Sequence, residues 1–305
     1  MKRKLCSVLL ALCMVLTLLP VSAMAEETEP VAAISDTKYS TLANAVEAAK
    51  SGDTIKMIAN TTITEEVDFT NKQITLDLNG KTITGTFSDY YSVIEASGEN
   101  AHITVEDSSD DAAGKIISNH YGLTGRDGGT ITVNSGTIEC DDGAALSGNN
   151  RTGNMNFEVN GGTLTSAKGP AIYMPGQCAL TITNGVLNGG ISLRMGQVNI
   201  SGGIINSTTG NIDSPSQYYN YSGNAWLPDA LYVFGGTYTS KDTDYSNSLN
   251  LNITGGQFNC LNEEGSAVAI YDLGNVEQSA NVMISNGIFT SKSATRSAYQ
   301  VLSLS

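Results

Sequence analysis

The chain has 305 residues, 40% apolar and 15% charged, with 16 basic against 30 acidic side chains. A formal charge of −14 with no basic stripe excludes a nucleic-acid binder, which must neutralise phosphates, and disfavours anionic membrane surfaces. Two histidines and a single tryptophan leave little material for elaborate active-site chemistry.

The N-terminus reads as a targeting segment. "MKRKL" supplies three positive charges, "CSVLLALCMVLTLLP" an apolar run, and Ala23-Met24-Ala25 a small-x-small site. That pattern predicts a secretory signal peptide over residues 1–25, cleaved before Glu26. The polar "EETEP" that follows favours cleavage over a retained anchor, and Leu12 is too large for a lipid-attachment site at Cys13. The mature chain then carries a charge of about −17 and is expected to be secreted, extracellular or held at the cell surface. No second run of about 18 apolar residues follows, so no integral membrane span is expected after cleavage. No C-terminal wall-sorting signal is visible, so a complete chain would be released or held noncovalently. Cys140, Cys178 and Cys260 remain, with irregular spacing. They read either as small buried hydrophobes or as one disulfide plus a free thiol.

Residues 26–35 read as a short linker. "YSTLANAVEAAKSGDTI" (39–55) then predicts a capping helix within 39–52. Ser40 or Thr41 serves as N-cap, Leu42, Ala45, Val46 and Ala49 form one apolar face, and Gly52 suits the stop. A helix of this kind covers the open end of a stacked fold, where core and strand edges would otherwise meet water.

Beyond the cap the chain repeats one frame: apolar, any, apolar, variable, small or Asn, Gly, any, apolar. Seven segments share it: "ITVNSGTI" (131–138), "FEVNGGTL" (157–164), "LTITNGVL" (180–187), "VNISGGII" (198–205), "LYVFGGTY" (231–238), "LNITGGQF" (251–258) and "VMISNGIF" (282–289). "LDLNGKTI" (76–83) is a looser version, and "HITVEDSS" (102–109) keeps the strand without the glycine. Alternation of period two describes a strand with one buried face, and the small-Gly pair permits a sharp bend. The shared glycines are separated by 26, 23, 18, 33, 20 and 31 residues. Such spacing fits the coils of a parallel β-solenoid, the long steps being a coil plus an insertion, better than hairpins or propeller blades. The expected fold is all-β: a right-handed, single-stranded parallel β-helix over 36–305, of around ten coils and about 50 Å in length. Val133, Val159, Ile182, Ile200, Val233, Ile253 and Ile284 are expected in one inward stack, with the polar positions before the glycines in a second ladder.

The "YSTLANAVEAAKSGDTIKM" stretch, "ITLDLNGKTITG" and the repeated "ITGGQF"-like units resemble the pectate-lyase-like right-handed parallel β-helix domains of secreted or cell-surface bacterial proteins. The likeness covers roughly residues 36–300. It implies fold and setting; activity stays open, because the superfamily holds polysaccharide lyases, glycoside hydrolases and noncatalytic adhesin-like proteins.

Family pectate lyases hold Ca²⁺ on carboxylates and use an Arg or Lys as base. The nearest acidic set is Asp107, Asp110 and Asp111 in "EDSSDD", with Asp141 and Asp142 in the next coil. Strand offsets allow these to meet along one edge and hold calcium; the other reading is a solvated acidic turn. No other cofactor is called for. Arg126, Arg151 and Arg194 each follow a similar spacing and are expected along a common flank. His120 in "SNHYG" reads as a turn residue, and no serine elbow, HExxH or phosphate loop appears. The insertion "SPSQYYNYSGNAWLPD" (214–229) carries Tyr218, Tyr219, Tyr221 and Trp226. Aromatic faces stack on sugar rings, so it suits glycan contact; the other reading is a loop that packs its aromatics on the solenoid flank as a brace. "SDYYSV" (88–93) is a second tyrosine-bearing insertion.

The chain is therefore expected to be a noncatalytic extracellular β-helix for adhesion or carbohydrate contact, meeting a glycan or a host or cell-envelope surface. A polysaccharide lyase or glycoside hydrolase is the alternative, and a structural spacer of an envelope assembly the third reading. Ligand and oligomeric state stay open.

Overall fold

A computed structural model describes residues 29–148, 154–207, 227–235, 238–240, 243–245, 249–272 and 280–303. The proposed signal peptide lies outside them. Among the described residues no helix is long and apolar enough to cross a membrane.

The chain winds as a parallel β-helix. Each coil gives one strand to each of three sheets, and nine coils stack in chain order, about 40 Å along the axis. The first sheet runs from Thr54–Met57 to Ala280–Ile284, the second from Thr61–Ile63 to Ile288–Ser291, the third from Val67–Asp68 to Tyr299–Ser303. The count among the described residues is nine because between Gly203 and Gly256, 53 residues apart in the sequence, they give a single strand to each of the three sheets. Part of that excess is an antiparallel hairpin of Tyr238–Ser240 and Thr243–Tyr245.

Register confirms the inward stack with one correction. Val133 pairs with Val159, Val159 with Ile182, Ile182 with Ile200, Ile200 with Ile253, and Ile253 with Ile284. Val233 is not among them: it lies in the third sheet, between Leu193 and Ile270. Strands of all three sheets alternate with period two, so the frame alone cannot assign a strand to its sheet. The last apolar position of the frame forms a second column, Ile83, Ile116, Ile138, Leu164, Leu187, Ile205, Phe258 and Phe289. Phe258 and Phe289 stack with centroids 5.0 Å apart.

The bends require glycine. Gly162 has φ +77°, and a Cβ there would lie 2.7 Å from Gly136 O in the coil below. Adjacent polar positions bond from coil to coil, Asn160 Nδ2 to Asn134 Oδ1 at 3.2 Å and Thr183 Oγ1 to Asn160 Oδ1 at 2.9 Å. A second polar column, on the outer face of the second sheet, is more regular. Asn188 Nδ2 donates to Thr165 Oγ1 (3.2 Å), Asn206 Nδ2 to Asn188 Oδ1 (2.9 Å), Asn259 Nδ2 to Asn206 Oδ1 (2.9 Å) and Thr290 Oγ1 to Asn259 Oδ1 (2.8 Å).

The capping helix, α1, spans Leu42–Ala48. Thr41 is its N-cap and accepts from Asn44 N at 3.1 Å. Leu42, Ala45 and Val46 face the core, and Lys72 Nζ donates to the carbonyls of Val46 and Glu47, satisfying orphan acceptors at the helix end. The cap has a second part. Ala32–Ile34, placed in a linker on sequence grounds, pairs antiparallel with both Thr37–Tyr39 and Thr54–Met57, so a hairpin covers the first sheet's edge.

All three described cysteines are free and buried. Cys140 and Cys260 sit at inward positions beside Ser166 and Ser291, where only small side chains fit. Burial raises the Cys140 thiol far above its ordinary range and that of Cys178 to about 12, which leaves both unreactive.

Candidate functional site

The aromatic insertion expected to touch glycan, with Tyr218, Tyr219, Tyr221 and Trp226, lies outside the described residues. Its end is described. Leu227 and Asp229 are buried, and Asp229 Oδ1 accepts from Ser266 N and Oδ2 from Tyr271 Oη, each at 2.7 Å. Arg296 Nη1 stands 3.8 Å from Asp229 Oδ1 and donates to Tyr271 Oη at 3.1 Å. Burial raises the Asp229 pKa, partly offset by these donors. The set ties three successive coils together at the root of the insertion.

The proposed calcium set does not assemble. Asp107, Asp110 and Asp111 lie between first- and second-sheet strands, whereas Asp141 and Asp142 follow a second-sheet strand, at the next edge of the solenoid. Counting offsets from the first-sheet strand missed this because the coils differ in length before the bend. Asp107 spends its carboxylate on the turn, accepting from Gly80 N (2.8 Å), Ser109 N (3.2 Å) and Gly114 N (2.6 Å), and Asp141 pairs with Lys168 at 2.8 Å. Among the described residues no three His, Cys, Asp or Glu side chains gather as a cation site.

Arg126 ends and Arg194 directly follows third-sheet strands that lie three coils apart; Arg126 is exposed and pairs with Glu95, Arg194 is buried, and Arg151 is outside the described residues. The outer face of this sheet differs from the other two in being covered. Thr124, Ser147, Tyr173, Ser192 and Tyr232 form one outward column there, and all are buried.

At its N-terminal end that column continues into Glu95 and Asp68. Glu95 is only 9% exposed, and Glu66 lies beside it, accepting from Ser92 N at 2.9 Å and from the Ser92 hydroxyl. Arg126 Nε reaches Glu95 Oε2 at ion-pair distance but off the N–H direction, so that oxygen accepts no hydrogen bond. Burial first, then the Glu66 charge, raises the Glu95 pKa from 4.5 to about 7, against the pull of Arg126. These carboxylates went unnoticed in the sequence because they meet only through coil register. Aligning Val67 with Ile94 would have placed Asp68 under Glu95.

The second tyrosine insertion is well defined. It joins the second-sheet strand Thr82–Gly85 to the third-sheet strand Ser92–Ser97. Asn119, one coil on, clamps its start: Phe87 N donates to Asn119 Oδ1 (2.9 Å) and Asn119 Nδ2 to Phe87 O (2.7 Å). Tyr91 N donates to Asp89 O at 2.8 Å and Tyr121 N to Tyr91 O at 3.2 Å, which fixes both ends. The result is an outward aromatic platform. Tyr90 is 61% and Tyr91 50% exposed. Tyr90 lies over His120 with centroids 4.7 Å apart and 6.4 Å from the Tyr121 ring, while Tyr91 meets Phe87 edge-on at 6.2 Å. Burial and the nearby Asp142 carboxylate raise the Tyr121 pKa, so its hydroxyl stays protonated. His120 supports a ring here, beyond the turn role read from "SNHYG".

No protein family, curated protein or solved structure matches this chain.

Proposed function

We propose that this chain is a noncatalytic extracellular β-helix protein of the pectate-lyase-like kind that makes carbohydrate contact through the Tyr90–Tyr91 platform. The carrying observation is that two adjacent tyrosines stand exposed on a clamped insertion, with rings supported by His120, Tyr121 and Phe87. Exposed aromatic faces held rigid lose little entropy when a sugar ring stacks on them. Asp89 beside Tyr90 and Asp142 near Tyr121 supply carboxyl groups around the platform for hydroxyls. Secretion by the N-terminal segment and a role at a cell or envelope surface belong to the same reading. The test is glycan-array binding by the full chain against a Tyr90→Ala/Tyr91→Ala variant. Loss of binding with an unchanged far-ultraviolet spectrum supports the reading, and unchanged binding rejects it.

A second reading, a polysaccharide-cleaving enzyme, is favoured by one observation. The Glu66–Glu95 pair puts a carboxyl that titrates near neutrality beside a second carboxyl, with Arg126 adjacent, a combination suited to acid–base work. Release of reducing ends or unsaturated product from polysaccharides, lost in Glu95→Gln, would establish it.

A further inference from the structure

The outer face of the second sheet changes character along the solenoid. In its early coils it carries the ion pair Lys115–Glu139 at 3.0 Å. Across the five coils from Thr163–Ser166 to Ile288–Ser291 none of its outward side chains is charged, on a chain with 46 charged residues. These positions form two parallel columns. One is mostly apolar: Val186, Ile204, Gln257 and Ile288 pair in sequence, with Ile204 39% and Ile288 60% exposed. The other is the amide column Asn188–Asn206–Asn259. Each amide nitrogen spends one N–H on the column, which leaves it a second donor. The apolar column borders an open groove of about 400 Å³ along the glycine bends, lined by Asn184, Ile204, Gln257, Asn286 and Ile288 over four coils.

We infer that this strip binds a linear, uncharged polysaccharide running parallel to the solenoid axis. An apolar column beside an amide column matches a pyranose chain, which presents C–H faces and hydroxyl edges side by side. The coil repeat of about 4.8 Å is close to the length of one sugar unit, so successive rings meet successive coils. Charge selects the ligand. An uncharged strip on a strongly acidic protein gives no counter-charge to a uronate or sulfated polymer, whose desolvation would go uncompensated. The inference rests on the carbohydrate reading above and adds a second, extended site and a ligand class.

The experiment uses the full chain in affinity electrophoresis and calorimetry with soluble β-glucan and galactomannan, their short oligomers, and polygalacturonate. Binding should strengthen with oligomer length and be absent for polygalacturonate. Ile204→Glu/Ile288→Glu places charge at two exposed positions outside the hydrogen-bonded column. It should weaken long neutral polymers by about tenfold or more. Ile204→Gln/Ile288→Gln, uncharged, should retain most of the affinity, which separates the effect from misfolding. If the glutamate variant binds long polymer as the wild type does, or polygalacturonate binds best, the strip is overturned. Loss of all binding in Tyr90→Ala/Tyr91→Ala with none in Ile204→Glu/Ile288→Glu would leave the platform standing and remove the strip; the reverse pattern would do the opposite.

Discussion

Tyr271 reaches back one coil to donate its hydroxyl to Asp229 at 2.7 Å, and both side chains are buried. The carboxylate has been taken out of water at the point where the longest insertion rejoins the solenoid. Its donors, the Ser266 amide and the Tyr271 hydroxyl, are what make that burial tolerable. Tyr271→Phe keeps the ring and strips one oxygen of its donor. It should lower unfolding free energy by about 1–3 kcal/mol, read from urea midpoints. A change below the measurement error would mean that Arg296 or water replaces the hydroxyl.

Glu95 predicts an unusual pH dependence. Its folded pKa is about 7 against an ordinary 4.5, so the protonated form is favoured in the native protein. The stability from this group is complete below pH 4.5 and is lost as pH rises through about 7. Glu95→Gln, which mimics the protonated form, should match the wild type near pH 4 and be the more stable protein at pH 8. Urea midpoints at the two pH values measure this. Greater wild-type stability at pH 8 would show that the Arg126 ion pair outweighs burial and the Glu66 charge.

The limits of the sequence show in these same residues. The solenoid was legible because stacking demands matched columns, and matched columns write a repeat into the chain. The cap was legible in Thr41 and the spacing of Leu42, Ala45 and Val46. What a period-two frame lacks is a sheet label. Val233 therefore aligned with the wrong column, and Asp107 and Asp141 seemed to share an edge. The Glu66–Glu95 pair was hidden for a related reason: its members are 29 residues apart and are brought together by register alone. The tyrosine platform was half visible. "DYY" marked the insertion, but the supports, Asn119, His120 and Tyr121, come from the following coil.

The bends carry their own prediction. Gly162→Ala forces an L side chain to φ +77° and sets its Cβ 2.7 Å from a backbone oxygen that cannot swing away. Strain of this kind costs on the order of 1–3 kcal/mol, and the steric overlap adds to it. Gly52 has φ +95°, but a Cβ there meets nothing within 4 Å. Gly52→Ala therefore isolates the dihedral cost. The difference between the two variants in thermal unfolding measures the clash, and equal losses would mean that the stacked bends relax.

The amide column should be held together by its hydrogen bonds. Asn206 is the middle member, donating to Asn188 and accepting from Asn259, each at 2.9 Å. Asn206→Ala breaks both bonds and leaves Asn188 Oδ1 and Asn259 Nδ2 each short of one partner. These side chains are half-buried, so water recovers part of the loss, and a destabilisation of about 1–2 kcal/mol is expected. Asn206→Asp distinguishes geometry from donor count. It keeps the shape and the acceptor for Asn259 but turns a donor toward Asn188 into a second acceptor, and two oxygens then face each other. Asp should therefore cost more than Ala at pH 8, and the gap should close as the carboxyl protonates in acid and can donate again. Denaturation midpoints of the two variants at pH 8 and pH 3 decide it. If Asp and Ala are equal at both, the column is a by-product of stacking and its bonds contribute nothing separate to stability.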